Sequence, residues 1–221
     1  MKWGKIVMVG RIFLFSVLMA ASLVAFPSCA LHDAKAPTPM VRMNVPSSPP
    51  ANAPPYCKID FNCPLSAAYN PRLYVYKTER RLLVVENGVL IRDYHIGLGP
   101  HPSGDKCMQG DGRTPEGEFF VCVKNPASKY YKSLGLSYPG PKHAQEAIQF
   151  GAISPDEYQE ILRANENKGA PPWNTALGGA IFIHGGGAYE DWTLGCIAVN
   201  NSAMDELFEV IPVGTPVNIL P

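Results

Sequence analysis

A histidine at the end of an apolar strand and a cysteine twelve positions further on are the residues of this chain best suited to chemistry. Ile181-Phe182-Ile183-His184 runs directly into Gly185-Gly186-Gly187, where side chains vanish and a substrate backbone can come close. Cys196 lies within Asp191-Trp192-Thr193-Leu194-Gly195-Cys196-Ile197-Ala198-Val199. Each of the two sits at the edge of a strand candidate, and on adjacent strands they would meet side by side. The chemistry that needs such a pair is acyl transfer. The imidazole takes the thiol proton, the thiolate attacks a carbonyl, and the imidazolium then protonates the leaving amine. A positioned base typically contributes about 10²- to 10⁴-fold.

Plainer roles exist for the same residues. A cysteine in an exported protein is commonly half of a disulfide, and a histidine at a strand end is often just a hydrogen-bonded polar group. A zinc site fits poorly, because neither His184 nor Cys196 has a second Cys or His at ligand spacing. His184-Gly185-Gly186-Gly187 also matches some esterase oxyanion loops. Those enzymes need a later Gly-x-Ser-x-Gly elbow, and Ser137, in Gly135-Leu136-Ser137-Tyr138-Pro139, lacks the second glycine.

The elements that must position the pair are strands. The chain of 221 residues holds 20 glycines and 22 prolines, a content that implies many turns and argues against a helical bundle. The length suits one domain of ordinary size plus a tail. Nineteen basic residues balance nineteen acidic ones, and charged residues make up 17%. A long polyanion has little to hold, so no nucleic-acid partner is expected. Arg72-Leu73-Tyr74-Val75-Tyr76 alternates as a strand. Leu82 to Val85 and Val89 to Ile96 flank Asn87-Gly88, a strong hairpin signal. Further strands are expected at Glu118 to Val123, Ala180 to His184, Cys196 to Val199 and Pro216 to Leu220. Ser154-Pro155-Asp156-Glu157 reads as a helix start, with a serine cap, an early proline and acids at the positive end of the dipole. That helix should run to about Asn165, within a helical insertion near 141–167, and a second should run from about Ser202 to Val210.

The N-terminal third looks like delivery apparatus. Lys2, Lys5 and Arg11 precede an uncharged apolar run, Ile12 to Phe26, closed by Ser28-Cys29-Ala30, which is the layout of a bacterial secretory signal. Residues 1–29 are therefore expected to export the chain to the periplasm or cell envelope. A small residue before Cys29 suggests lipoprotein processing and a lipid anchor there; Phe26 and Pro27 depart from the usual motif, leaving ordinary cleavage or an uncleaved anchor as alternatives. Residues 30–65 read as a proline-rich linker. Its densest part, Ala36 to Tyr56, would span up to roughly 65 Å in a polyproline conformation. The expected folded domain is 66–221.

Taken together, Ile183-His184-Gly185, Thr193-Leu194-Gly195-Cys196-Ile197, the upstream Arg113-Thr114-Pro115-Glu116-Gly117-Glu118-Phe119 and the closing Gly214-Thr215-Pro216-Val217 resemble the L,D-transpeptidase catalytic domain family, YkuD type. They occur in family order over about residues 70–221. The resemblance implies a mainly β, β-sandwich-like domain that acts on bacterial peptidoglycan stem peptides; the sequence offers no metal cluster or nucleotide loop, so no cofactor or metal is expected. It makes Cys196 the nucleophile and His184 its base, with backbone N–H groups around Gly195 and Cys196 stabilising the oxyanion. A carbonyl of Gly185 or Gly186 would orient the ring, with Asp191 as a competing orienter. The implied reaction is attack of Cys196 on the third residue of a tetrapeptide stem, release of D-alanine, and transfer of the acyl group to an amine. Hydrolysis as an L,D-carboxypeptidase, lipoprotein–peptidoglycan hydrolysis by the same site, or a non-catalytic wall-binding lipoprotein are the alternatives.

Two positions depart from the family pattern. Leu194 stands where a histidine commonly precedes Gly-Cys, and Ala198 stands where an arginine commonly follows. If that arginine holds a substrate carboxylate, another cation must replace it, and Arg113 is the expected replacement because a guanidinium fork suits carboxylates. Trp192 and Thr193, with Tyr138 and Trp173, are candidate substrate contacts, and the segment from Tyr138 to Trp173 a candidate cleft wall. With Cys196 free and Cys29 in the leader, Cys57–Cys63 and Cys107–Cys122 are the local disulfide pairing.

Overall fold

Alternating apolar residues dictate the regular half of the molecule. In the computed structural model, which describes residues 54–221, β2 (Pro71–Tyr76) buries Pro71, Leu73 and Val75 and turns the residues between them outward. It pairs antiparallel with β3 (Arg81–Glu86), which pairs antiparallel with β4 (Val89–His95). The turn between β3 and β4 places Asn87 at φ 47° and Gly88 at φ 77°, the left-handed pair that a two-residue hairpin requires. The export signal, Cys29 and the linker as far as residue 53 lie outside the described residues.

β9 (Pro216–Leu220) returns from the far end of the chain to lie parallel to β2 and antiparallel to the start of β5 (Gly117–Ser128). β5 then leaves that sheet. Gly117 to Phe120 pair with β9, whereas from Val121 onward the partner is β6 (Tyr131–Leu136), with register shifts between Val121 and Val123 and again before Ser128. Such irregularities bend a strand and carry β5 from one sheet into the next. β6 pairs antiparallel with β7 (Phe182–His184), and β7 pairs parallel with the two-residue β8 (Ile197–Ala198). With β1 (Lys58–Ile59) on β4, the strand order is β1-β4-β3-β2-β9-β5-β6-β7-β8.

One hydrophobic core joins both halves. Leu73, Val75, Leu82 and Ile219 from the first half contact the same cluster as Leu134, Leu136, Ile183 and Ile197 from the second. Fully burying each such side chain stabilises the fold by about 1.5–3 kcal/mol. The mainly β class expected from the strand pattern is the observed one. Among the described residues, no helix is long and apolar enough to cross a membrane.

Several elements differ from expectation. β6 was not foreseen: Ser133 and Gly135 break its β signature, yet the stretch from Ser133 to Leu136 is buried. The insertion holds two helices, α1 (Pro141–Gln149) and α2 (Pro155–Glu166). Only α2 has the full start signal, a capping box in which Ser154 and Glu157 exchange hydrogen bonds. The pair carries a small core of its own, Ala144, Ala147, Ile153 and Ile161 closed by Leu177. α3 (Asn201–Val210) is capped at Asn200 rather than by a serine, and without a side-chain cap bond. The carboxamides of Asn200 and Asn201 instead accept from the N–H groups of Ala188 and Gly186. Tail residues read as linker also join the sheet: Cys57 donates its N–H to Gly88 and Asp60 to Leu90, and Leu65 is buried.

The expected disulfides do not form, and Cys57, Cys63, Cys107, Cys122 and Cys196 are all free. Cys122 sits half-buried on β5 with its thiol donating to the Gly135 carbonyl at 3.4 Å. Burial pushes that thiol up to about 11. Cys107 belongs to a loop wound around Asp111, whose carboxylate takes its N–H at 3.0 Å.

Candidate active site

The parallel pair β7–β8 brings the histidine and the cysteine together. Ile183 is in register with Ile197, and both are fully buried in the core. Side chains alternate across a strand, so His184, next to Ile183 on β7, turns away from the core, and Cys196 lies immediately before β8. Both line one cleft of about 430 Å³. A larger hollow of about 590 Å³ lies between the β2–β9 face and α2 but contains neither a cysteine nor a histidine; the cleft shared by His184 and Cys196 is the candidate site.

The histidine ring is held from three directions. Nδ1 lies 2.7 Å from the Gly185 carbonyl; a carbonyl only accepts, so Nδ1 carries the proton and Nε2 is the basic nitrogen. Tyr130 stacks on the ring at 4.8 Å between centroids, and Trp192 meets it edge-on at 5.4 Å. Trp192 is itself fixed by its indole N–H, which donates to Gly187 at 3.1 Å. Burial pushes the His184 pKa down, against a smaller upward pull from the Gly185 bond. The ring is therefore a neutral base at neutral pH. Asp191 does not orient it: its carboxylate accepts from Arg80 at 2.6 Å and from the Leu98 N–H at 2.8 Å.

A tight turn delivers the thiol. The Thr193 hydroxyl donates to the Cys196 carbonyl at 2.8 Å and accepts from the Gly195 N–H at 3.3 Å. Gly195 adopts φ +122°, and a Cβ there would lie 2.6 Å from the Arg113 carbonyl, so only glycine passes between the thiol and the neighbouring loop. The Cys196 thiol donates to Ala180 at 3.5 Å. Burial pushes its pKa up, while the Phe182 backbone and the Lys106 ammonium pull the other way. At rest the pair is a thiol beside a neutral imidazole.

The other expected site residues divide. Trp192 and Thr193 line the cleft, as does Trp173, although the Thr193 hydroxyl is consumed by its own turn. The Gly186 N–H is taken by Asn201 at 2.8 Å. Arg113 is not in the cleft: its guanidinium donates to the Asp105 carbonyl and lines a separate hollow with His101 and Cys107. Tyr138 is fully buried, with its hydroxyl donating to Leu177, so it contacts core rather than substrate. The cleft wall is built by Trp173 and the stretch Gly178–Ile181, whereas Pro141 and Leu162 of the helices face the larger hollow. Lys106, Gln109 and Tyr130 line the cleft and were missed. Their only sequence signal is proximity to the Arg113 motif or to the aromatic cluster around His184. Among the described residues, no group of three His, Cys, Asp or Glu converges as metal ligands.

Solved structures of similar architecture include the helical cell shape determining protein Pgp2 from Campylobacter jejuni, at 22% identity and TM-score 0.46 over 71% of this chain and 50% of that one. An L,D-transpeptidase from Xylanimonas cellulosilytica shares 17% identity at TM-score 0.41, over 70% and 62% of the two chains. One from Mycobacterium smegmatis shares 11% at TM-score 0.41, over 69% and 59%. The matched region thus spans about half to three fifths of those structures. No curated protein matches the chain significantly. The family profile for the YkuD L,D-transpeptidase catalytic domain matches residues 70–219, which include every cleft residue named above, and the chain belongs to that family.

Proposed function

We propose that the protein is an exported, cysteine-dependent L,D-transpeptidase acting on peptidoglycan stem peptides. The observation that carries this reading is a thiol and a neutral imidazole lining one cleft beside the β7–β8 pair, with Nδ1 committed to Gly185 and Nε2 left as the base. Nε2 takes the Cys196 proton as sulfur bonds to the carbonyl carbon of the third stem residue. The negative charge that develops on oxygen falls near the backbone N–H of Cys196; the Gly195 N–H is engaged by Thr193. On collapse, the C–N bond to D-alanine breaks and the imidazolium returns the proton to the leaving amine. The thioester then passes its acyl group to an amine of a second stem, which regenerates the thiol.

The test is incubation of the purified full-length chain with tetrapeptide muropeptides, with products weighed by mass spectrometry. D-alanine should be released together with a crosslinked dimer, and Cys196→Ala should abolish both. Release that persists in Cys196→Ala overturns the mechanism. Release without dimer assigns the thiol to hydrolysis instead. Export by residues 1–29 and anchoring at Cys29 are read by palmitate labelling of the chain and of Cys29→Ser. Equal label in the two ends the anchor reading.

A further inference from the structure

Around the thiol the cleft is almost uncharged. Trp173, Trp192, Tyr130 and Leu194 supply much of its wall, and among the residues that line it Lys106 alone carries a fixed charge. That lysine is 4% exposed, which is unusual for an ammonium and requires partners. Its Nζ donates to the Met108 carbonyl at 2.9 Å and to Asp111 Oδ1 at 2.7 Å. An ammonium has three donors, and the third has no protein acceptor among the described residues.

Asp111 fixes where that charge sits. Besides Lys106, its carboxylate accepts the N–H groups of Cys107, Met108 and Arg113 at 3.0, 3.2 and 3.0 Å. Burial alone would push the Asp111 carboxyl up, but these four donors outweigh it and hold the group below its ordinary range. The loop from 106 to 113 is thereby wound around one carboxylate whose charge is shared among four donors, and the Lys106 ammonium is held rigidly at the cleft surface. A second donor waits in the same cleft: the indole N–H of Trp173 is buried and has no partner among the described residues.

We infer that Lys106 is a specificity-determining residue that binds a free carboxylate of the acyl-donor peptide, held close to the carbonyl presented to Cys196. This rests on the reading of Cys196 as the acyl-accepting thiol. The third stem residue of the proposed donor is a diamino acid, and the two residues joined by the bond that breaks each carry one free carboxylate: the side chain of that diamino acid and the C-terminus of D-alanine. A neutral amide at the matching position offers the third ammonium donor no charged acceptor. Such a peptide is discriminated against. Arg113, turned into a separate hollow, takes no part in this contact.

The experiment uses the full-length chain and three synthetic tetrapeptide donors: unmodified, amidated at the terminal D-alanine, and amidated at the side-chain carboxylate of the diamino acid. D-alanine or D-alaninamide release gives kcat and KM for each, and calorimetry on Cys196→Ser gives binding without turnover. One of the two amidated donors should lose about 10- to 100-fold in kcat/KM, mainly through KM, and the identity of that donor names the carboxylate. Lys106→Met should weaken the unmodified donor to the level of the amidated one and collapse their ratio to within about threefold. Lys106→Arg should restore most of it. Equal handling of all three donors by the wild type overturns the inference without any variant, as does an unchanged ratio in a folded Lys106→Met. If no donor turns over, the catalytic reading fails, and the calorimetric comparison of acid with amide still decides the role of Lys106.

Discussion

The two halves of the sheet are built on different terms. In the β2–β3–β4–β9 half, strands of five to seven residues hold one another by long ladders with one register shift at Val84/Val85; inward and outward residues alternate on β2 and β9, while β3 buries Leu82 to Val85 on both faces. In the β6–β7–β8 half, β7, which ends in His184, has three residues, and β8, which follows Cys196, has two. There the geometry is set by single contacts: Thr193 on the Cys196 carbonyl, Gly185 on the His184 ring, Asn201 on the Gly186 N–H. The lesson is that stability and chemistry are carried by separate parts of one core, so each should be damaged independently of the other.

The largest effect that tests this separation is Leu73→Ala. Leu73 is fully buried on β2, so thermal or denaturant unfolding should show a loss of about 2–5 kcal/mol, while kcat/KM per folded molecule stays within about twofold. A large fall in kcat/KM of the folded protein would break the comparison. Next comes Gly195→Ala, which places a Cβ 2.6 Å from the Arg113 carbonyl at φ +122°. Displacement of the thiol should cost about 100-fold in D-alanine release, or roughly 2.7 kcal/mol of barrier, with a smaller loss of stability than Leu73→Ala. Retention of full activity would show that the turn tolerates what its packing forbids.

Thr193→Val is gentler. It removes the hydroxyl between the Cys196 carbonyl and the Gly195 N–H, so stability should fall by about 1 kcal/mol and kcat/KM by about tenfold. If the two fall in step, Thr193 belongs to the stability half. The smallest effect sharpens the site half alone. Burial depresses His184 from its ordinary 6.5 and raises Cys196 from 9.0. The imidazole must be unprotonated to act as base, so activity is lost as pH falls through the His184 value. The acid limb of the kcat/KM profile should therefore lie below about 6.5 and the alkaline change above about 9. An acid limb above 6.5 would contradict the buried, neutral ring.

The regular half was legible because alternation and turn chemistry are local. Pro71–Tyr76, the Asn87-Gly88 turn and Pro216–Leu220 fall where their patterns place them. The Ser154–Glu157 capping box was legible for the same reason. β6 was not, since Ser133 and Gly135 suit a strand only when neighbours on both sides bury them. Arg113 was misplaced because its motif fixes a loop, not the direction in which a guanidinium leaves that loop. The cysteines were misread because an even count near one another in sequence implies nothing about proximity once they lie on β5 and on the Asp111 loop.

By itself the sequence determined that the fold is mainly β, that a histidine runs into a glycine run, and that a cysteine directly follows a glycine; these depend on residue types and on spacings of a few positions. The tertiary structure decided that the imidazole is oriented by Gly185 rather than Asp191, that Tyr130 and Trp192 enclose it, and that Lys106 rather than Arg113 supplies the charge in the cleft. Each of those depends on which side chains meet across segments tens of residues apart. Such meetings are set by packing around a shared core, where a contact exists only once every other strand is in place.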